Sequence, residues 1–154
     1  MRDRVTLSEA ELEAWGERIG REGKPPLFLA LRGDLGAGKT TLARAVAHGA
    51  GVEGPVPSPT YNLLFRYSTA RGIVIVHMDL YRLEHPEEVW ELGWGELPAA
   101  EELVLVEWPE RAEELLPTPR WEIVLEEGAD PDRRELSLRP VGDPGALPEP
   151  AGRE

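Results

Sequence analysis

Cysteine is absent from the 154-residue chain. Its absence excludes disulfide bonds, thiolate metal sites and a cysteine nucleophile. Cysteine usage therefore gives no information about the redox state of the cellular compartment. Lysine is almost absent too, because Lys24 and Lys39 are the only two lysines beside fifteen arginines. A lysine inside a functional motif of such a chain is therefore an informative residue.

Long apolar runs are also missing. The longest apolar stretches, residues 25–31 and 73–76, are far shorter than the roughly 20 residues that a helix needs to cross a bilayer. Residues 1–4 are mostly charged and lead into an amphipathic segment, a pattern that argues against a secretory signal. We therefore expect a cytoplasmic protein that has no membrane partner.

Basic residues are in deficit. Lysine and arginine number 17 against 29 aspartates and glutamates, which gives a formal net charge of −12. The mean field of such a protein repels the phosphate backbone of nucleic acids, so we expect no direct DNA binding. The length allows one domain, which can bury roughly two thirds of the surface that its unfolded chain exposes.

The first part of the chain predicts a helix, a strand and a second helix. Ser8 and Glu11 form a capping-box pattern, and apolar residues then recur at helical spacing over residues 8–20. The apolar run 27–31 is too short for a core helix and is bounded by proline and glycine, which favours a strand buried on both faces. Residues 40–50 are rich in helix formers and stop at a glycine, as a helix would.

The remaining chain predicts further strands and short helices. Alternating apolar residues on both sides of glycine-containing turns indicate two hairpins, and proline at the start of a segment favours a short helix. The predicted elements are hairpin strands 61–67 and 73–78, a helix opening at Pro86 and reaching Leu92, a buried strand 103–106, a helix 110–116, and antiparallel strands 121–125 and 135–138.

A glycine-rich motif follows the first predicted strand. Residues 33–40 read Gly-Asp-Leu-Gly-Ala-Gly-Lys-Thr and satisfy G-x-x-x-x-G-K-[ST] between a predicted strand and a predicted helix. In such a P-loop, backbone N–H groups and a helix N-terminus hold the phosphates of ATP or GTP, and the lysine reaches the β- and γ-phosphates. Thr40 is then expected to bind Mg²⁺ and Thr41 to hydrogen-bond the α-phosphate. The predicted nucleotide-binding residues of the motif are Asp34, Leu35, Gly36, Ala37, Gly38, Lys39, Thr40 and Thr41.

The order of elements around this motif predicts the fold class. We expect an α/β fold: a single P-loop NTPase-like domain over residues 1–139, with a mixed, mostly parallel central sheet flanked by helices and an antiparallel C-terminal hairpin. From residue 140 onward prolines and glycines stand among few apolar residues. Residues 140–154 are therefore expected to form a disordered tail.

Two acidic residues end buried predicted strands. Asp79 follows residues 73–78, and Glu107 follows residues 103–106. Open α/β sheets bind ligands at the carboxyl ends of their strands, and a P-loop enzyme needs acidic groups for the metal and the attacking water. We predict that both carboxylates serve Mg²⁺ or water, while the choice of direct metal ligand, and a role as solvated strand ends, stay open.

Two further segments carry alternatives. Ser58-Pro59-Thr60-Tyr61 follows a loop rich in glycine and proline. This loop could close over a γ-phosphate through Thr60, or it could be an ordinary connector. Seven glutamates and no lysine or arginine lie in the stretch from Glu84 to Glu102, with Trp90 and Trp94 among them. This pattern indicates either a solvated face or a partner-binding surface.

Two residues beside the candidate carboxylates are less informative. His77 precedes Asp79 by two positions, and Trp108 follows Glu107 directly. A lone histidine at a strand end is more often a hydrogen-bonded structural residue than a functional one. Aromatic content by itself places Trp108 in a core or an interface.

Four motifs together resemble the bacterial TsaE family, also called YjeE. The motifs are GDLGAGKTT at 33–41, SPTY at 58–61, HMDLYRL at 77–83 and EWPER at 107–111. Their order and spacing match the family, and the resemblance runs from about Ser8 to Leu138. The combination is far more specific than the P-loop alone.

The resemblance implies a function in tRNA modification. Members of this family are ATPases needed to make threonylcarbamoyladenosine in tRNA, with the partner proteins TsaB and TsaD. TsaD is implied to transfer the threonylcarbamoyl group, and ATP hydrolysis by TsaE to drive or reset the complex, so that tRNA is met only through the complex. The implied site residues are Lys39, Thr40 and Thr41 for phosphates and Mg²⁺, Thr60 in a switch-like loop, Asp79 and Glu107 for metal and water, and Trp108 close to the nucleotide.

Two other functions fit a P-loop. A small-molecule kinase would use the same loop, but it needs an acceptor pocket and usually a cluster of basic residues over the transferring phosphoryl group. A nucleotide-dependent binding switch would bind without meaningful catalysis. Slow turnover by the isolated chain is expected of both the ATPase and the switch, so only an assay with the partners separates them.

Overall fold

The fold is organised around one sheet. The computed structural model describes residues 4–34, 37–128 and 130–150, and in these ranges the chain forms a seven-stranded sheet. The strands are β1 (Val5–Ser8), β2 (Leu27–Arg32), β3 (Leu64–Ser68), β4 (Val74–Asp79), β5 (Glu102–Glu107), β6 (Arg120–Glu127) and β7 (Arg133–Val141).

The strand order is β1-β7-β6-β2-β5-β4-β3. The four central strands run parallel, whereas β3, β7 and β1 pair antiparallel at the two sides. This arrangement confirms the predicted α/β fold with a mixed central sheet and an antiparallel C-terminal hairpin, β6–β7. The register pairs Glu107 with Leu31 on one side and with Asp79 on the other, so the carboxyl ends of β2, β5 and β4 meet at one edge.

Two α-helices cover one face of the sheet. Helix α1 (Glu9–Glu22) begins at the predicted capping box, in which Ser8 and Glu11 exchange side-chain and backbone hydrogen bonds. Helix α2 (Lys39–Ala50) follows the P-loop and packs against α1. Among the described residues, no helix is both long and apolar enough to cross a bilayer.

Three short 3₁₀ segments cover the opposite face. They span Pro86–Leu92, Trp94–Glu96 and Pro109–Leu115, and the sequence predicts short helices at the first and last of these. The last segment is interrupted because Ala112 has non-helical angles of φ −134° and ψ 39°. Trp94 is buried here with its ring edge-on to Phe28, at 5.8 Å between ring centroids.

Residues 140–150 differ from the predicted disordered tail, because contacts with the rest of the chain hold them in place. Residues 140 and 141 continue β7, and the following segment returns across the molecule. The indole of Trp121 donates to the carbonyl of Gly145 at 2.9 Å, and that of Trp15 donates to the carbonyl of Pro148 at 2.8 Å. Leu147 packs against the core. Residues 151–154 of the predicted tail lie outside the described residues.

Candidate functional site

A cavity of about 310 Å³ opens at the carboxyl edge of the sheet, beside the start of α2. Parallel strands β2, β5 and β4 end here, which is the position where open α/β sheets bind ligands. The predicted site residues that line it are Gly38, Lys39, Thr40, Thr41, Thr60, Asp79, Glu107 and Trp108.

The N-terminus of α2 faces this cavity without a side-chain cap. Gly38 is the N-cap residue and has a positive φ of 110°, a conformation that glycine adopts without steric cost. The backbone N–H groups of the first helical turn and the positive end of the helix dipole form an anion-binding arrangement. Ala37 is buried and Asp34 is exposed, while Leu35 and Gly36 of the predicted loop lie outside the described residues.

Lys39 is the buried cation of the site. Its ammonium group donates to the carbonyl oxygen of Gly33 and lies 3.4 Å from the ring centroid of Trp108. Burial lowers the pKa of Lys39, although the carboxylates of Glu107 and Asp79 act in the opposite direction. The nearby carboxylates therefore favour the charged form of Lys39, and burial opposes it. This balance suits a lysine that binds an anion.

Glu107 links the P-loop helix to the sheet. The hydroxyl of Thr40 donates to Glu107 Oε1 at 2.8 Å, and His77 Nε2 lies 2.7 Å from Glu107 Oε2. Both Glu107 and His77 are buried, with exposed fractions of 2% and 1%. The sequence by itself favours a structural role for His77. Strand alternation is the signal that places it here, because His77 and Asp79 share one face of β4.

Asp79 holds the loop that contains Thr60. The Thr60 hydroxyl donates to Asp79 Oδ2 at 3.0 Å, and the backbone N–H of Tyr81 donates to Asp79 Oδ1 at 2.9 Å. The hydroxyl of Ser58 lies 2.8 Å from that of Thr60. The backbone also joins the loop to β4, because the Asp79 N–H donates to the carbonyl of Leu63 at 3.1 Å. The predicted switch-like loop is thus fastened to the end of β4.

Trp108 has a left-handed backbone conformation. Its angles of φ 58° and ψ 49° are uncommon for a bulky residue, and such conformations cost about 1–3 kcal/mol and cluster at functional sites. The turn brings the indole into the cavity, where it contacts Lys39 and the ring of Tyr81, 4.9 Å away between centroids. Trp108 therefore lines the cavity and also packs against the core, where aromatic content alone predicts a core or an interface position.

Three lining residues carried no sequence motif. Glu9 and Leu12 come from the first turns of α1, and Arg134 comes from β7. The guanidinium of Arg134 donates from Nε to the carbonyl of Ala37 at 3.1 Å, so the last strand contacts the P-loop directly. Only the pairing of β7 with β6 and β1 brings Arg134 to this position, and a sequence reveals no such pairing by itself.

The donor set at the cavity fits a magnesium ion. Thr40, Asp79 and Glu107 offer hydroxyl and carboxylate oxygens within one cavity, and oxygen ligands of this kind are those that Mg²⁺ takes. Lys39 and the uncapped start of α2 stand beside them and suit phosphate groups. Chemically, the site can hold a polyphosphate together with a divalent cation.

Comparison with known proteins identifies the family. The family model for threonylcarbamoyl adenosine biosynthesis protein TsaE matches residues 6–136, a range that contains every residue of the cavity. The chain belongs to the TsaE family. TsaE of Bacillus subtilis (strain 168) is 37% identical to it over 139 residues, which cover 90% of this chain and 85% of that protein. TsaE of Rickettsia bellii (strain RML369-C) is 41% identical over 135 residues, which cover 87% and 92%.

A solved structure agrees with this membership in the TsaE family. The crystal structure of Bacillus subtilis YdiB superposes with a TM-score of 0.74 at 32% sequence identity, over 93% of this chain and 89% of that one. The similarity in fold therefore extends over most of the chain. Membership in the family places the chain in the biosynthesis of threonylcarbamoyladenosine.

Proposed function

We propose that this chain is the Mg²⁺-dependent ATPase of the tRNA threonylcarbamoyladenosine machinery, which hydrolyses ATP to ADP and phosphate to drive or reset a complex of TsaB and TsaD. The observation that carries the proposal is the hydrogen bond between Thr40 and Glu107 at the head of the P-loop helix. P-loop ATPases hold Mg²⁺ through the loop Ser or Thr together with an acidic residue at a strand end. Membership in the TsaE family points to threonylcarbamoyladenosine biosynthesis, and the contact between Thr40 and Glu107 supports Mg²⁺-dependent ATP hydrolysis.

The P-loop is proposed to hold the triphosphate. Backbone N–H groups at the start of α2 would bind phosphate oxygens, Thr41 would reach the α-phosphate, and Lys39 would reach the β- and γ-phosphates. The Lys39 ammonium group donates a hydrogen bond to the Gly33 carbonyl and lies over the Trp108 ring. Phosphate oxygens offer a stronger acceptor than a carbonyl group, so nucleotide binding would draw the ammonium group away from Gly33.

The two carboxylates are proposed to divide metal and water between them. Thr40 and Glu107 would hold Mg²⁺, which when bound neutralises charge on the β- and γ-phosphates. Asp79 lies at the end of the neighbouring strand and accepts from Thr60, and we propose that these two side chains orient the attacking water. Trp108 would exclude bulk solvent from the same side.

A partner is proposed to supply what the cavity lacks. Phosphoryl transfer commonly uses a positive group over the transferring phosphoryl, such as an arginine finger. Among the described residues that line the cavity, the cations are Lys39 and Arg134, and Arg134 already donates to the Ala37 carbonyl. We therefore infer slow hydrolysis by the isolated chain and faster hydrolysis in complex with TsaB and TsaD. Contact with tRNA would be indirect, through that complex.

The kinase alternative receives less support from this cavity. A kinase needs a basic clamp and an acceptor pocket beside the phosphates. The described cavity is lined by three acidic side chains, those of Glu9, Asp79 and Glu107, beside its two cations. The binding-switch alternative keeps one favourable observation, because the contact between Thr60 and Asp79 could open and close with the nucleotide state.

The two lysines of the chain provide the test. Lys39→Ala should abolish measurable ATP binding and turnover, because it removes the cation aimed at the β- and γ-phosphates. Lys24→Ala makes the same chemical change at an exposed position outside the cavity and should leave both unchanged. ATP affinity is measured by calorimetry and turnover by phosphate release. Wild-type binding and turnover in the Lys39→Ala protein would refute the assignment of the P-loop.

A further inference from the structure

His77 is a buried imidazole for which the proposed hydrolysis reaction has no direct use. It lies on β4, opposite Leu105 in the register and diagonal to Glu107 on β5. Diagonal neighbours on one face of a sheet are within reach of a long side chain. Its Nε2 accordingly lies 2.7 Å from Glu107 Oε2.

The second ring nitrogen of His77 has no hydrogen-bond partner among the residues that the structure describes. Nδ1 is buried and unpartnered, although buried polar atoms are normally paired. An apolar side chain would fill this position without leaving a polar atom unpaired. The imidazole therefore brings one contact that an apolar residue lacks, which is the contact between Nε2 and Glu107.

We propose that His77 is a positioning residue that fixes the Glu107 carboxylate so that its other oxygen holds the Thr40 hydroxyl ready for Mg²⁺. In this arrangement the His77 tautomer with its proton on Nε2 donates to Glu107 Oε2, because a carboxylate oxygen accepts hydrogen bonds. With Oε2 fixed, Oε1 is presented to Thr40, 2.8 Å away. The chain of contacts runs from β4 through β5 to the first turn of α2.

Fixing Glu107 has a chemical consequence for Thr40. A hydroxyl that donates its proton to a carboxylate keeps its lone pairs for another ligand, in this case a cation. Hydrogen-bond partners that orient metal-binding groups typically change metal affinity or activity by about 10- to 100-fold when they are removed. Loss of His77 should therefore act on the Mg²⁺-dependent part of nucleotide binding and leave the phosphate contacts of Lys39 in place. The inference rests on the proposed Mg²⁺–nucleotide site.

The experiment compares His77→Leu with His77→Gln. Leucine removes the donor, whereas a glutamine amide still offers an N–H group. Binding of a non-hydrolysable ATP analogue is measured across a Mg²⁺ titration, and again with EDTA. Melting temperature without nucleotide shows that each variant folds. His85→Leu is the control, because His85 is exposed and lies outside the cavity.

The expected result separates positioning from packing. His77→Leu should weaken the apparent Mg²⁺ affinity by about 10- to 100-fold, with unchanged binding in EDTA, and His77→Gln should restore most of the loss. A folded His77→Leu protein with the wild-type Mg²⁺ profile, or two variants that lower only the melting temperature, would overturn the inference while the wild-type profile still supports the proposed site. A wild-type protein without any Mg²⁺ dependence would overturn both.

Discussion

Every carboxylate oxygen of Asp79 and Glu107 has a hydrogen-bond partner. Glu107 accepts from Thr40 and contacts His77 Nε2, and Asp79 accepts from Thr60 and from the backbone N–H of Tyr81. Burying a charge without such partners is costly, so these donors are what allow two carboxylates to sit side by side at the strand ends. The same contacts fix the direction in which each carboxylate faces the cavity.

Thr40 is the residue at which nucleotide and metal binding can be separated. Thr40→Ala removes the hydroxyl and should weaken Mg²⁺-dependent binding of ATP by at least about tenfold, whereas binding in EDTA should change little. Thr40→Ser keeps the hydroxyl and the donor to Glu107, so it should titrate like the wild type. Calorimetry with and without Mg²⁺ distinguishes the two. If Thr40→Ala also titrates like the wild type under both conditions, its hydroxyl is not a metal ligand.

Local motifs explain how much of the site could be predicted from the sequence. Lys39, Thr40 and Thr41 follow from the P-loop pattern, and Asp79 and Glu107 follow from their places after buried strands. Arg134 and the contact of His77 with Glu107 could not be predicted, because both depend on which strands pair and in which register. Long-range pairing leaves no local pattern in one sequence.

At the scale of elements, the predicted helices and central strands were largely correct because each depends on local signals. The capping box gave the start of α1, and glycine gave the end of α2. Strand β1 is not predicted because its four alternating residues run directly into the capping box of α1, and its place at the sheet edge depends on pairing with the distant strand β7. The order of residues 142–150 was missed because it depends on the Trp15 and Trp121 indoles, which find carbonyl acceptors in a segment poor in apolar residues.

An ionic cluster ties β2, β6 and the 3₁₀ segment Pro109–Leu115 together. Arg32 and Arg120 both donate to Glu122, which is 2% exposed, and Arg32 also reaches Glu113 at 2.9 Å. Burial alone would raise the pKa of Glu122 above its ordinary value of 4.5, but the hydrogen bonds from the two arginines outweigh burial and lower it. The cluster therefore stabilises the fold when Glu122 is ionised.

This pKa shift predicts how stability depends on pH. The pKa of Glu122 is lower in the folded chain than in the unfolded chain. Its contribution to the free energy of unfolding is therefore complete above about pH 4.5 and is lost as the pH falls through the lowered pKa. Glu122→Gln should lower the free energy of unfolding by about 2 kcal/mol at pH 7, and the difference from the wild type should shrink in acid.

Urea unfolding at about five pH values between pH 3 and pH 7 measures the difference in free energy of unfolding between the wild type and Glu122→Gln. Glu126→Gln is the control on the same strand, since Glu126 is half exposed and pairs with Arg4 at 3.6 Å. Exposed pairs of this kind contribute about 0–1 kcal/mol, so the control curve should follow the wild type. Wild-type and Glu122→Gln curves that stay parallel into acid would show that Glu122 does not act through its charge.

At the scale of the whole molecule, the acidic stretch from Glu84 to Glu102 divides into two parts. Trp94 is a core residue, and Glu102 is buried and paired with Arg66 at 2.6 Å. Trp90 is 53% exposed and stands among glutamates that reach the surface. Tryptophan is enriched in partner-binding regions, so the remaining candidate surface is the one around the exposed Trp90.

The partners are expected to stimulate ATP turnover by this chain. The isolated chain should hydrolyse ATP slowly, and addition of TsaB with TsaD should raise the rate at least about tenfold, because a partner residue or loop closure supplies charge stabilisation that the described cavity lacks. Phosphate release with each partner alone and with both together measures the effect. Absence of stimulation by the complete set would leave this chain as a P-loop protein without the proposed coupling.

Charge reversal tests whether the surface around Trp90 senses the partners. The first triple variant, Glu87→Lys, Glu88→Lys and Glu91→Lys, reverses the charge beside Trp90. The second, Glu13→Lys, Glu17→Lys and Glu22→Lys, makes the same change on α1. If the partners dock beside Trp90, the first triple variant should lose complex formation and stimulated turnover while its unstimulated turnover persists, and the second should keep all three. Equal behaviour of the two variants would make the Trp90 surface a solvated face and move the docking site elsewhere, with the Thr60 loop as the next surface to alter.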